Sequence, residues 1–248
     1  MAAASSARAT RRNGNDVGAR LTLLGGFELT YDGRVARLPQ PAQRLLAFLA
    51  LQHHAVDRIY VAGMLWLNVP EDRAFSSLRS ALWRLRRLEV EVVETTGRSM
   101  RLSPEVSVDA REVAEWSRRV LDGTLRPSSI PVDGGFFEGE LLHDWYEHWV
   151  LAERERLRGL QVHALELLCD RWTRQGSFAR ATDAALSALR LEPLRESAHR
   201  LLIKAHLAEG NPAAALRQYR LYQQQLREEF DLEPSSQMDD LVRALLPR

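Results

Sequence analysis

Five arginines, Arg73, Arg79, Arg84, Arg86 and Arg87, fall within fifteen residues, with no acid between the first and the last. Wound as a helix over Glu71–Leu88, the segment sorts itself by the 3.6-residue period. Ala74, Phe75, Leu78, Ala81, Leu82 and Leu85 gather on one side, and Arg73, Ser76, Ser80, Trp83, Arg84 and Arg87 on the other. Arg79 and Arg86 take the flank. A merely solvated face mixes both signs of charge, because opposite charges at i,i+4 stabilise a helix and like charges repel. An all-cationic face is tolerable when a polyanion neutralises it. Guanidinium groups are well suited to that contact, since they donate in a planar fork to phosphate or to guanine O6 and N7. Serine hydroxyls add donors for phosphates or base edges.

The candidate contacts on this helix are therefore Arg73, Ser76, Ser77, Ser80, Trp83, Arg84 and Arg87. A short hairpin follows, with strands expected at Val90–Glu94 and Met100–Leu102 around Thr95-Thr96-Gly97-Arg98. It contributes Thr96, Arg98 and Arg101 as further candidates. Trp83 is unusual on a polar face. It can stack on a sugar or a thymine methyl, or pack beneath the hairpin. The bland alternative for the whole face is a solvated or protein-binding surface.

The elements that must hold this helix precede it. Leu21–Leu24, Phe27–Tyr31 and Arg34–Leu38 read as strands, with Asp32-Gly33 as a tight turn between the last two. Pro39 and Pro41 then open a heavily apolar helix over about 41–52. A shorter helix, about 58–66, starts behind Asp57 as its N-cap. Asn68–Glu71, with Pro70, predicts a capping-box variant at the head of the arginine helix. Three strands, three helices and a hairpin make the order of a winged helix-turn-helix.

Charge divides the chain the same way. Residues 1–108 carry 15 Arg against 10 acids, and residues 109–248 carry 19 Lys+Arg against 23 acids. A basic half joined to an acidic half suggests two tasks, one of them on a polyanion. No 18-residue apolar run exists to span a membrane, and the Ala/Ser/Arg-rich start lacks the apolar stretch of a secretory signal, so it reads as a disordered basic arm. The single cysteine, Cys169, sits in an apolar helical stretch as an inert buried thiol and excludes an internal disulfide or a multi-thiolate zinc site.

Enzyme signatures are missing: there is no G-x-G-x-x-G, P-loop, H-E-x-x-H, C-x-x-C or G-x-S-x-G. His53 and His54 lie at a helix end. His143 and His148, near Asp144 and Glu147, are spaced by five, which turns them to different faces of a helix. Trp145 and Trp149 read as an aromatic core stripe. No catalytic group, metal ligand or cofactor is expected.

From Asp109 onward the pattern is helical, with a first helix over about 109–122 and a looser stretch at Gly123–Gly139. Leu167-Leu168, Gly176 and Ala181 recur as Leu201-Leu202, Gly210 and Ala215, each displaced by 34 residues. That period is the one of tetratricopeptide helical hairpins, with a glycine at each inter-helix turn. Pro193 and Pro234 close the second helix of each pair, and the second unit has the longer helix. Two units need capping helices on either side.

The runs Leu45-Leu46-Ala47-Phe48-Leu49-Ala50-Leu51, Leu65-Trp66 and Leu78-Arg79-Ser80-Ala81-Leu82-Trp83-Arg84-Leu85-Arg86-Arg87 resemble the head of the Streptomyces antibiotic regulatory protein family. Asp144-Trp145, Glu153-Arg154-Glu155-Arg156-Leu157-Arg158, Ala214-Ala215-Leu216, Tyr219 and Leu232-Glu233-Pro234 resemble that family's bacterial transcriptional activator domain. The resemblance spans about 20–246. It implies a mainly α protein with a small β component: an OmpR/PhoB-type winged helix, of the phosphorelay-output kind, followed by a tetratricopeptide-like all-α domain. The implied boundaries are 1–19 for the arm, 20–108 for the winged helix and 109–248 for the activator domain.

Functionally, the resemblance implies a cytoplasmic, nucleoid-associated activator of a secondary-metabolite gene cluster. It would bind direct repeats in double-stranded promoter DNA as a homodimer and recruit RNA polymerase holoenzyme through its sigma factor and other subunits. Where the family has Pro-Asp and Gly-Tyr, this chain has Leu67-Asn68 and Ser99-Met100. No ATPase, sensor or forkhead-associated segment follows, as in the family's short members. A repressor on the same scaffold, or a helical-repeat adaptor whose basic head binds an acidic protein, are the competing readings.

Overall fold

A computed structural model describes residues 18–125 and 139–243 of the chain. The expected basic arm thus lies outside the described residues up to position 17, as does most of the Gly123–Gly139 stretch. The described residues fall into two compact units, one reaching to Leu23 and resuming over Phe27–Asp109, the other formed by Leu24–Gly26 and the described residues from Ala110 onward.

The first unit is built on two small sheets. Strand β1 (Ala19–Thr22) pairs antiparallel with β2 (Glu28–Tyr31), which pairs with β3 (Arg34–Val35); β7 (Val106–Val108) runs parallel to β1 on its other edge. The second sheet has the order β4 (Val56–Asp57), β6 (Ser99–Leu102), β5 (Val93–Thr96), all antiparallel. In sequence, α1 (Gln40–Leu51) lies between β3 and β4, and α2 (Arg58–Leu65) and α3 (Glu71–Leu85) lie between β4 and β5. Pro41 sits in the first turn of α1, where its missing N–H costs nothing. The run from Leu45 to Leu51 is buried throughout, so α1 is the central post on which α3 and β6 pack. Asp109 closes this unit: its Oδ1 accepts the Leu23 backbone N–H at 2.8 Å.

Several boundaries differ from the sequence expectation, each for a local reason. The predicted capping box at Asn68 does not form. Pro70 occupies the N-cap of α3 with no side-chain cap, its carbonyl accepts the Arg73 and Ala74 N–H groups, and Asn68 is exposed. Helix α3 ends at Leu85 rather than Leu88, because the Arg87 and Leu88 N–H groups turn to carbonyls three residues back. The hairpin strands are displaced towards the tip, since the Thr96↔Ser99 pairing leaves a two-residue turn of Gly97-Arg98, with Gly97 at φ 59°. Trp145 lies in the turn before its helix, although its ring still meets Trp149 edge-on at 6.2 Å.

The second unit contains α4 from Ala110 onward (the helix spans Asp109–Leu121), α5 (His148–Arg174), α6 (Phe178–Leu191), α7 (Glu196–Glu209), α8 (Pro212–Phe230) and α9 (Ser236–Val242). The 34-residue repeat maps onto two helical hairpins, α5–α6 and α7–α8. Gly176 and Gly210 make their turns at φ 73° and 83°, a region open to glycine at little cost. The equivalent Leu168 and Leu202, and Ala181 and Ala215, are buried. Helix α8 is five residues longer than α6 (19 against 14), and α9 packs on α7 and α8 as the cap that the second hairpin requires. Ile203, Tyr219, Tyr222, Leu226, Met238 and Val242 form the core there. In the same unit, the Gly25 N–H donates to the Glu140 carbonyl at 2.9 Å. Gly139, at φ 102°, allows that approach; a Cβ there would stand 2.7 Å from the Gly25 nitrogen.

One buried polar group stitches the second hairpin. His199 on α7 is 2% exposed. Its Nε2–H donates to the Pro193 carbonyl (2.8 Å), its Nδ1 accepts from the Gln218 amide (2.7 Å), and its ring lies 4.4 Å from that of Tyr222. Burial holds its pKa below the ordinary histidine value. The neutral ring is therefore the folded-state form, while the unfolded chain takes up a proton near pH 6.5. Stability from this site should be fully present above about pH 6.5 and decline as pH falls below it. Urea midpoints of the wild type and of His199→Gln, compared from pH 8 to pH 5.5, should converge towards the acid end; parallel curves would show that His199 stays uncoupled from protonation.

Candidate nucleic-acid interface

Packing fixes which side of α3 faces out. Ala74, Leu78, Ala81, Leu82 and Leu85 are buried, and α3 lies against both α1 and α2. Arg73, Ser76, Arg79, Ser80, Trp83, Arg84, Arg86 and Arg87 are exposed, while Ser77 is half-buried at the edge of the face. Among the described residues, Arg73, Arg79, Arg84 and Arg87 form no ion pair. Glu71 and Asp72 are confined to the first turn, where carboxylates favour the helix dipole.

Trp83 is half-exposed, at 51%. The Arg84 and Arg87 guanidinium carbons stand 5.0 and 4.8 Å from its ring centroid, inside cation–π range. The indole thus holds two cations in place. An open groove of about 640 Å³ runs beside it, lined by Arg58, Arg79, Ser80, Leu82, Trp83, Arg84 and Arg86.

The hairpin is fastened to the helices by polar contacts. Strand β4 adds Val56 and Asp57 to β6, and the Arg58 N–H donates to the Arg98 carbonyl at 2.9 Å. Asp57 has a second and third partner. It accepts the Ile59 N–H at 2.7 Å as N-cap of α2, and its carboxylate lies 3.5 Å from Arg98 Nε. Arg86 at the end of α3 donates to the Thr95 hydroxyl at 3.3 Å. Thr96 and Arg98 are exposed at the tip. Arg101 is exposed too, but its guanidinium is engaged by Glu94 across the hairpin at 2.6 Å. Of the three hairpin candidates, Arg101 is the one whose charge is already balanced on its own strand pair.

Sequence reasoning missed Arg58 and the organising role of Asp57. Arg58 belongs to a helix read only for its apolar face, and a two-residue strand leaves no periodicity to detect. Arg79 and Arg86 were legible as flank positions; the groove brings them to the same edge as Ser80 and Trp83.

Elsewhere, among the described residues, no cluster of three or more His, Cys, Asp or Glu could hold a metal ion, and no helix is long and apolar enough to cross a membrane. His143 pairs with Asp144 at 2.8 Å. Cys169 is fully buried, and desolvation pushes its thiol up to about 11, which suppresses the reactive thiolate.

Asp57→Ala should remove both the α2 cap and the tether on Arg98. We expect unfolding to become easier by about 1 kcal/mol, read from urea titration, with faster backbone motion at Gly97 and Arg98 in NMR relaxation. Unchanged stability would mean that the cap contributes nothing.

Residues 134–246 match the family described as bacterial transcriptional activator domain. Two relatives are both named Regulatory protein AfsR. The one from Streptomyces coelicolor is 27% identical over 241 residues, and the one from Streptomyces griseus 26% over 240, each match covering 92% of this chain. The chain spans 24% of the length of these curated relatives. Among solved structures, Mycobacterium tuberculosis EmbR in complex with a low-affinity phosphopeptide matches with a TM-score of 0.64 at 19% identity, over 93% of this chain and 66% of that one. That likeness is one of fold, a winged helix followed by a helical repeat. With the activator-domain match over residues 134–246, this makes the chain similar over most of its length to two regulatory proteins, with a bacterial transcriptional activator domain in its second half.

Proposed function

We propose that this regulator binds promoter DNA through α3 and activates transcription of a secondary-metabolite gene cluster. The observation that carries the reading is the outward row of guanidinium groups on α3, four of which have no carboxylate partner among the described residues. A B-DNA major groove admits one α-helix, and arginine reads guanine there. In this reading Arg73, Ser76, Ser77, Ser80, Trp83, Arg84 and Arg87 face the groove or its phosphates. Thr96 and Arg98 approach the flanking backbone or minor groove, and Arg101 joins only by exchanging Glu94 for phosphate. Arg58 and Arg79 extend the contact along the helix edge.

Residues 20–108 then act as the DNA-reading domain and 109–248 as the activator domain. Binding as a homodimer to direct repeats, and recruitment of RNA polymerase holoenzyme through its sigma factor and other subunits, belong to the same reading. The activator-domain match and the tetratricopeptide-like hairpins support it, since stacked helical hairpins commonly present protein-binding surfaces.

The test is electrostatic and then genetic. With about five to eight phosphate contacts, log K against log salt should fall with a slope of roughly −4 to −7 per protomer. A slope near zero would overturn the DNA reading. Arg84→Ala and Arg87→Ala should each weaken binding to the chain's own promoter region by at least about tenfold while circular dichroism stays unchanged. Normal binding by both variants would place the reading surface elsewhere. Deleting the gene should lower transcripts of its target cluster; a rise would make the protein a repressor on the same contacts.

A further inference from the structure

The repeat unit holds a cleft that the regulator's DNA reading does not use. It has a volume of about 300 Å³ and opens between α5, α6 and the segment Gly139–Leu141. That is the lower end of the range typical of small-molecule sites, about 300–1,000 Å³. Three leucines form its apolar wall: Leu141 from the segment, Leu157 from α5 and Leu191 from α6.

Its polar lining is rich in donors, beside the Glu140 carboxylate. Gln161, one helical turn after Leu157, is 3% exposed, yet among the described residues its Nε2 has no hydrogen-bond partner. Among the described residues, Arg158 Nε is likewise buried without a hydrogen bond, although the same guanidinium pairs with Glu155 through Nη2 and Glu192 Oε1 lies 3.9 Å from Nε. Arg190 reaches in from α6. One of its nitrogens donates to the Ser187 hydroxyl at 2.8 Å, and among the described residues it has no ion pair. The remaining lining arginine, Arg154, is spent on the carbonyls of Leu141, Leu142 and Trp145 and on Glu140. A buried donor without an acceptor costs free energy that a native fold normally avoids. Here two such donors and one unpaired cation converge on the same apolar-walled space.

We propose that this cleft binds a small organic carboxylate. The acid group meets Arg190, Gln161 Nε2 and Arg158 Nε, and a compact apolar body lies against the leucines. One negative charge matches the one lining cation that lacks a carboxylate, and the apolar wall disfavours a bare inorganic anion. Because the walls come from two helices and a separate segment, the ligand would bridge them and stabilise the repeat unit by mass action.

Benzoate, phenylacetate and hexanoate serve as probes on the full chain, with benzyl alcohol and inorganic phosphate as controls. At least one carboxylate should shift the Gln161 side-chain amide and Arg190 Nε–H resonances and raise the melting midpoint by a few degrees over equal ionic strength. Both controls should leave them in place. Arg190→Gln, an exposed and structurally mild change, should weaken the response about tenfold with circular dichroism unchanged, and Gln161→Leu should do likewise. The proposal is overturned if no carboxylate perturbs these resonances, if benzyl alcohol or phosphate perturbs them equally, or if Arg190→Gln responds like the wild type. Promoter binding is measured in parallel, so loss of one activity is read separately from loss of the other.

Discussion

The rotation of α3 about its own axis is the constraint on which the candidate interface rests. It is set by five small and medium apolar side chains, Ala74, Leu78, Ala81, Leu82 and Leu85, pressed against α1 and α2. Burial of that stripe removes apolar area worth about 25 cal/mol per Å² from water, far more than the repulsion among exposed arginines can oppose. The helix is thus free to carry a charge pattern that would be unfavourable on an isolated peptide. The placement of the hairpin follows from that orientation, since Arg86 and β4 tie the hairpin to the ends of α3 and α2.

Apolar burial and exposed polar contacts divide the labour. Pairs such as Arg101–Glu94 and Arg98–Asp57 are solvent-exposed, and each contributes only about 0–1 kcal/mol. They do not hold the unit together. They decide where the tip of a short hairpin stands, and which of its charges are already satisfied. In the second unit the proportions differ. Alanines at 181, 184, 185 and 188 let α6 lie close to its neighbours, and polar groups such as His199 are buried with both ring nitrogens engaged. Glu196 plays a similar role, accepting from the Tyr222 hydroxyl and from Ser235, so that α7 and α8 are joined to the start of α9.

Much of this was legible in the sequence where periodicity is long. The stripe of α3, the apolar post of α1 and the 34-residue echo between Gly176 and Gly210 all extend over several turns, and each appears where expected. The Asp57 cap was legible for a different reason, because a carboxylate before a helix has few other local uses. Short-range features failed. Strands Val56–Asp57 and Val106–Val108 are too brief for alternation to show, and their partners lie far along the chain. The stop at Leu85 and the uncapped start at Pro70 turn on single hydrogen bonds that composition does not determine. Arg154 looked like one charge in a mixed run, yet it gathers three carbonyls in the preceding turn.

The matched glycine turns carry one more implication. Gly176 and Gly210 stand one repeat apart, and the helices on either side present the same small buried positions, Ala181 and Ala215. The array is in effect a ruler with interchangeable divisions. A further hairpin spliced between them in phase would meet familiar surfaces at both joints and leave the terminal α9 lid untouched. An array of different length can thus arise by counting divisions rather than by redesigning the core.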